Sequence, residues 1–181
     1  HNHNELPLAA LHCQRLGIAH VVIPLGFMHQ YFKSSLLESG ESIPDGNYDE
    51  ENMKSTVVPF RNGVMLAVAA GIAESNGLTK VLIANHGGDH TIYPDCRPEF
   101  IAAMDAAVEA GTFARVRVVA PYTNISKADI ARRGRALGID YAETWSCYKG
   151  GHVHCGTCGT CVERKEALRE AGIEDNTTYQ S

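Results

Sequence analysis

Four of the six cysteines crowd into one short stretch, as Cys147-x7-Cys155-x2-Cys158-x2-Cys161, while Cys13 and Cys96 stand alone. Paired C-x2-C steps have metal-ligand spacing. Four thiolates close a tetrahedral shell around a single zinc ion, and Gly150, Gly151, Gly156 and Gly159 let the chain turn tightly enough to aim backbone N–H groups at sulfur. A shell of four thiolates leaves no position open for water, so such a zinc, one per chain, is expected to be structural. The same residues suit two other chemistries, an iron–sulfur cluster or paired disulfides. His152 and His154 lie between the thiols and offer nitrogen donors in place of a cysteine.

Three further segments carry groups that bind or react. Arg61 and Asn62 stand at the opening of an expected helix, where a planar guanidinium and oriented amides suit a carboxylate; an ordinary helix start with a solvated Arg reads the same way. The run Asn85-His86-Gly87-Gly88-Asp89-His90-Thr91-Ile92-Tyr93-Pro94-Asp95-Cys96-Arg97 follows an apolar strand, and ligands of open α/β sheets lie at the carboxyl ends of strands. Asp95 also suits the cap of the helix that begins near Arg97, and the isolated Cys96 suits a small core residue. Lys127 falls in the first turn of a helix, against the helix dipole, which fits a phosphate or adenylate partner or else a solvated lysine.

The elements that must position these residues alternate. Helical periodicity is expected over 6–16, 59–76, 98–109 and 126–137, with a last short helix over 162–171. Apolar strand runs are expected over 18–25, 81–84 and 116–120. Gly17, Gly77 and Gly138 mark helix ends, and Ser126-Lys127-Ala128-Asp129 reads as a capping box with Asp in the Glu role. The segment 26–57 is expected to be a long polar loop. Such alternation predicts an α/β fold, a doubly wound parallel sheet with right-handed crossovers.

Composition narrows the function classes. The 181 residues are 44% apolar and 20% charged, a globular balance sufficient for one core. Sixteen Lys and Arg against twenty-one Asp and Glu leave a net charge of -5, which argues against direct nucleic-acid or anionic-membrane binding. The start has neither the basic nor the apolar region of a leader, and no uninterrupted apolar run reaches about 18 residues, so a cytoplasmic location is expected. His1-Asn2-His3-Asn4 has no initiator Met and runs into a helix, which reads as a native segment entered partway.

Taken together, Val58-Pro59-Phe60-Arg61-Asn62, Tyr93-Pro94-Asp95-Cys96-Arg97-Pro98-Glu99-Phe100, Thr144-Trp145-Ser146-Cys147-Tyr148 and Cys155-Gly156-Thr157-Cys158-Gly159-Thr160-Cys161-Val162-Glu163-Arg164 resemble the 7-cyano-7-deazaguanine synthase family over nearly the whole chain. The resemblance implies an adenine-nucleotide α-hydrolase-like fold of the PP-loop ATPase type with a C-terminal zinc site. It implies ATP-dependent conversion of 7-carboxy-7-deazaguanine and ammonia to the nitrile, through an adenylated carboxylate and an amide, for queuosine or related deazapurine pathways. ATP would serve as co-substrate with Mg, and a homodimer is implied.

Carried over by motif, Arg61, Asn62, Asp89, Tyr93, Asp95 and Arg97 would bind the deazapurine and Lys127 would be catalytic, neutralising charge on phosphate. The family's Ser-Gly-Gly-x-Asp-Ser loop does not occur in this sequence. The expected organisation is therefore a PP-loop ATPase-type α/β domain over 1–140 without its ATP-loop unit, with a zinc-binding segment over 141–181 packed on it. Two alternatives stand beside this reading: a related PP-loop enzyme that stops at the amide or thiolates a base, and a zinc-stabilised, non-catalytic nucleotide-binding module.

Overall fold

In the computed structural model, which describes residues 4–37, 42–47 and 51–180, two apolar runs pair in parallel. Strand β1 (Lys80–Leu82) lies beside β2 (Arg117–Val119), with Lys80 opposite Arg117, Val81 opposite Val118 and Leu82 opposite Val119. Ile83 N–H extends the ladder by donating to Val119 O at 3.0 Å. Side chains alternate across a strand, so Val81 and Ile83 share one face with Val116, Val118 and Ala120. That face is covered by helices.

Helix α3 (Arg61–Ser75) precedes β1, and α4 (Pro98–Gly111) crosses from β1 to β2. Leu66, Ala70 and Ala73 of α3 and Ile101 and Val108 of α4 close the core on the valines. The small residues of α3 let its backbone approach the strands and α4 closely. Pro98 sits at the start of α4, where its missing N–H costs no helical bond. Among the described residues the opposite sheet face is open, and Leu82 is 69% exposed there.

The chain divides into two compact units, Pro59–Ile130, which holds this sheet, and His1–Val58 together with Ala131–Ser181. The second contains α1 (Glu5–Leu16), α2 (Phe27–Tyr31), most of α5 (Lys127–Ala136) and α6 (Gly159–Ala171). Helix α1 ends at Gly17 with φ 65, the left-handed C-cap expected of that glycine. His12 and Arg15 of α1 bind Glu143, through its backbone carbonyl and its carboxylate respectively. The serine cap expected at α5 forms: Ser126 Oγ accepts from Asp129 N–H at 3.1 Å, and its hydroxyl donates to the Asp129 carboxylate at 2.8 Å.

Three expectations differ from what forms. Residues 18–25 are not a strand: no described segment pairs with them, and Val21 is 72% exposed. A β-prone sequence becomes a strand only where a neighbour takes its N–H and C=O groups. The expected loop over 26–57 contains α2 and a 3-10 turn at Glu51–Thr56, held where Ser35 N–H donates to Ser55 O at 2.8 Å. Residues 1–3, 38–41 and 48–50, part of the expected opening and of that polar loop, lie outside the described residues.

The third concerns length. Met53–Ser75 has the length and composition of a membrane span, contrary to the expectation that no stretch would. The path breaks at Pro59 and Phe60, however, and the 15-residue α3 that follows buries Leu66, Ala70 and Ala73 in the core. At about 1.5 Å rise per residue, α3 is too short to cross a bilayer of about 30 Å.

Candidate functional site

The four C-terminal thiols converge. Cys147, Cys155, Cys158 and Cys161 place their Sγ atoms within 4.8 Å of one another, all buried and all free of disulfides. A tetrahedral zinc with Zn–S bonds of about 2.3 Å holds its sulfurs about 3.8 Å apart; Cys155 and Cys161 stand at 3.9 Å. An iron–sulfur cluster sets several atoms between its thiolates and spreads them more widely, so the donor set fits one ion.

Local structure explains the convergence. Gly156 adopts φ 79, turning the chain back so that Thr157 and Cys158 N–H groups point at Cys155 Sγ, at 3.5 and 3.3 Å. Cys155 N–H donates to Cys147 Sγ at 3.3 Å. Cys161 lies in the first turn of α6, which begins earlier than the sequence pattern indicates, at Gly159. These amides face sulfur where a thiolate's charge would develop.

A hydrogen bond from Cys161 lowers the Cys158 thiol below its ordinary value, while giving that bond and burial push Cys161 up. Burial also raises Cys147. A bound cation would favour all four as thiolates.

Neither intervening histidine joins this set. His152 is exposed. His154 Nε2 accepts from Ser146 N–H at 3.3 Å, its ring lies 4.2 Å from that of Trp145, and burial, then Arg164, lowers its pKa. The chain end runs alongside, with Gln180 N–H donating to His154 O at 2.8 Å. Arg164, buried three residues after Cys161, donates to Thr177 Oγ1 and Thr144 Oγ1, each at 2.9 Å, and to Tyr141 O at 2.5 Å. That brace was not singled out from the sequence; its signal is a charge on the buried face of a helix.

A second cluster occupies the 59–130 unit, at the carboxyl ends of the strands. Asn62 and Asp95 meet directly: Asn62 N–H donates to Asp95 Oδ2 at 2.8 Å, and Asn62 Nδ2 donates to Asp95 O at 3.1 Å and Cys96 Sγ at 3.2 Å. Asp95 thus caps α3 from a distant loop, whereas the start of α4 has no side-chain cap. Burial, then Asp89 and Asp95, pushes the Cys96 thiol up to about 12, so it stays protonated and packs as an inert core group.

The loop after β1 is tied at several points. Buried Asn85 donates to Cys96 O at 2.7 Å and Thr123 Oγ1 at 3.2 Å, joining the loops that follow both strands. Asp89 Oδ1 lies 3.4 Å from His86 Nε2, while His86 Nδ1 accepts from Gly88 N–H at 3.1 Å. Tyr93 is buried and its N–H donates to Asp89 O at 2.9 Å. Arg97 Nε donates to His90 O at 3.0 Å. Arg61 begins α3, directly before the Asn62 that bonds Asp95 and Cys96. Lys127 opens α5 two residues after Ile125, whose carbonyl accepts from Gly87 N–H at 3.1 Å.

The structure therefore brings Arg61, Asn62, Asp89, Tyr93, Asp95 and Arg97 into the loops at the strand ends, Tyr93 and Asp95 buried and the others half-buried, with Lys127 beside the adjoining loop. Asn85 and His86, which hold these loops together, were read from the sequence only as part of the 85–97 run, and their partner Thr123 was not named there. A buried Asn directly after an apolar strand is the signal that finds Asn85.

Comparison with known proteins adds a relation to this geometry. The family model described as "Queuosine biosynthesis protein QueC" matches residues 1–172. A 7-cyano-7-deazaguanine synthase of Porphyromonas gingivalis is 67% identical over 180 residues, 99% of this chain and 82% of that protein. A protein of the same name from Desulfotalea psychrophila is 55% identical over 179 residues, 99% and 82% of the two chains. Another from Rhizobium etli is 49% identical over 178 residues, 97% and 75%.

Proposed function

The chain belongs to the QueC family of queuosine biosynthesis proteins, and from that premise we infer that it is a 7-cyano-7-deazaguanine synthase, an ATP-dependent carbon–nitrogen ligase. The observation that carries this reading is its likeness, along nearly the whole chain, to proteins bearing that name. The strand-end cluster supports it with groups suited to a small planar acid.

The chemistry follows from the poor electrophilicity of a carboxylate. An oxygen of 7-carboxy-7-deazaguanine attacks the α-phosphorus of ATP, pyrophosphate leaves, and an acyl-adenylate forms. Ammonia then attacks the carbonyl carbon and expels AMP to leave the amide. A second ATP activates the amide oxygen in the same way, with loss of one N–H proton to give an adenylated imidate; departure of AMP with the oxygen and loss of the second N–H proton give the nitrile. ATP enters as its magnesium complex.

Within this reaction Arg61 faces the substrate carboxylate with a bidentate donor pair. Asn62 and Asp95 fix the start of α3, and Asp89, Tyr93 and Arg97 shape the deazapurine pocket. Lys127 neutralises charge developing on phosphate. The fold that serves this reading is the doubly wound, adenine-nucleotide α-hydrolase-like sheet, and the exposure of Leu82 on the face away from α3 and α4 supports a second helical layer. Functionally, 1–140 acts as the PP-loop ATPase-type domain and 141–181 as its metal-binding segment. A zinc held by Cys147, Cys155, Cys158 and Cys161 supplies a structural tie, its four positions being filled by thiolates. A cytoplasmic homodimer without direct nucleic-acid or membrane contact completes the proposal.

Incubation with 7-carboxy-7-deazaguanine, ATP and ammonium, read by mass spectrometry, is expected to give the nitrile with AMP and pyrophosphate. Accumulation of the amide alone, sulfur transfer to a base, or nucleotide binding without turnover would overturn the reading.

A further inference from the structure

Phe60 stands just before Arg61 and Asn62 in a backbone conformation that a phenylalanine rarely takes. Its φ of 53 lies in the left-handed region, where a Cβ is disfavoured and Gly or Asn is the usual occupant. Packing accounts for only part of this choice, because the side chain remains 59% exposed. A large apolar group that is both strained and open to solvent contributes little to folding, and such strain collects where ligands bind.

The ring is nonetheless held in place. It lies against Gly63, where an added Cβ would overlap it, and it meets Phe100 edge-on, with centroids 5.7 Å apart and planes at 88°. Phe100 follows directly on the Asp95–Arg97 loop, and Asn62 is bonded to Asp95. A fixed aromatic surface is thus presented to solvent beside the residues that gather at the strand ends.

We propose that Phe60 is a substrate-binding residue that stacks its exposed ring on the planar deazapurine, with Arg61 beside it to take the carboxylate. This assignment rests on the proposed function, which supplies a planar aromatic acid as substrate. Stacking of a base on an aromatic side chain tolerates changes at the base edge, so it holds acid, amide and nitrile alike while polar groups tell them apart.

The test titrates the protein with 7-carboxy-7-deazaguanine by calorimetry in wild-type, Phe60→Gly and Phe60→Tyr forms, with ATP affinity and thermal midpoint measured in parallel. Phe60→Gly is expected to bind the deazapurine roughly ten- to a hundredfold more weakly. Its thermal midpoint should be no lower than wild type, because glycine relieves the backbone strain, and ATP affinity should not change. Phe60→Tyr should bind like wild type. Unchanged deazapurine affinity in Phe60→Gly would overturn the assignment, as would a loss shared with ATP affinity or with the thermal midpoint. Failure of the wild-type protein itself to bind the deazapurine would instead overturn the proposed function on which the assignment rests.

Discussion

Val116 and Cys161 are both wholly buried, one in each compact unit, yet different forces put them there. Val116 sits among Leu66, Ala70, Val81, Ile101 and Val118, in a core made by removing alkyl surface from water. Cys161 sits among three other thiols, with Ile43, Trp145, Tyr148 and Tyr179 packed around them, in a region otherwise held by the Arg164 and His154 hydrogen bonds. The 59–130 unit carries a periodic apolar pattern and closes on alkyl contacts. The flanking unit concentrates polar and sulfur ligands in loops, and its order depends on their simultaneous satisfaction.

This contrast makes Cys158→Ser the most damaging change. The variant should lose bound metal and the hydrogen-exchange protection of residues 145–179, because binding energy at a structural zinc site is also folding energy, on the order of 10 kcal/mol. The amides of β1 and β2 should stay protected. One zinc per chain with unaltered protection would break the comparison.

Leu66→Ala probes the other side. It should cost about 2–5 kcal/mol in urea unfolding by leaving a cavity under the sheet, while metal content stays at the wild-type level. Metal loss in this variant would mean that the two kinds of order are coupled.

Arg164→Met sharpens the account of the flanking unit, since it keeps much of the side-chain volume and removes the bonds to Tyr141, Thr144 and Thr177. A loss of about 2–3 kcal/mol in chemical denaturation is expected, as buried acceptors are left without their charged donor. A neutral effect would assign the region's order to the thiols alone.

The smallest effect concerns acid. Burial raises the Asp175 carboxyl, but hydrogen bonds from Thr177 and Tyr179 outweigh it and hold the pKa below the ordinary carboxylate value. A depressed folded pKa contributes stability that is present above about pH 4 and fades as pH falls through the folded value. Thermal midpoints of wild type and Asp175→Asn should therefore converge below about pH 4; a constant difference across that range would count against this link.

The sequence was legible where periodicity and covalent spacing act locally. Helices over 59–76 and 98–109 were expected and form as Arg61–Ser75 and Pro98–Gly111, because caps and apolar faces are written in consecutive residues. Residues 18–25 misled, since β propensity does not carry a partner with it. Asp95 is the instructive case at the site. As a capping residue it was readable, but the helix it caps is α3, which precedes it by some thirty residues, and only folding brings the two together.

What the sequence by itself determined is the crowding of four cysteines into one short stretch, the alternation of apolar runs with helices over 59–120, and the family. Each depends on residue order alone. The tertiary structure decided which groups meet: the four thiols with no histidine among them, Asn85 tying two strand-end loops, Arg164 bracing the chain end, and Phe60 held open to solvent. Those arrangements depend on desolvation and on hydrogen-bond partners far apart in the chain, which no local pattern of residues records.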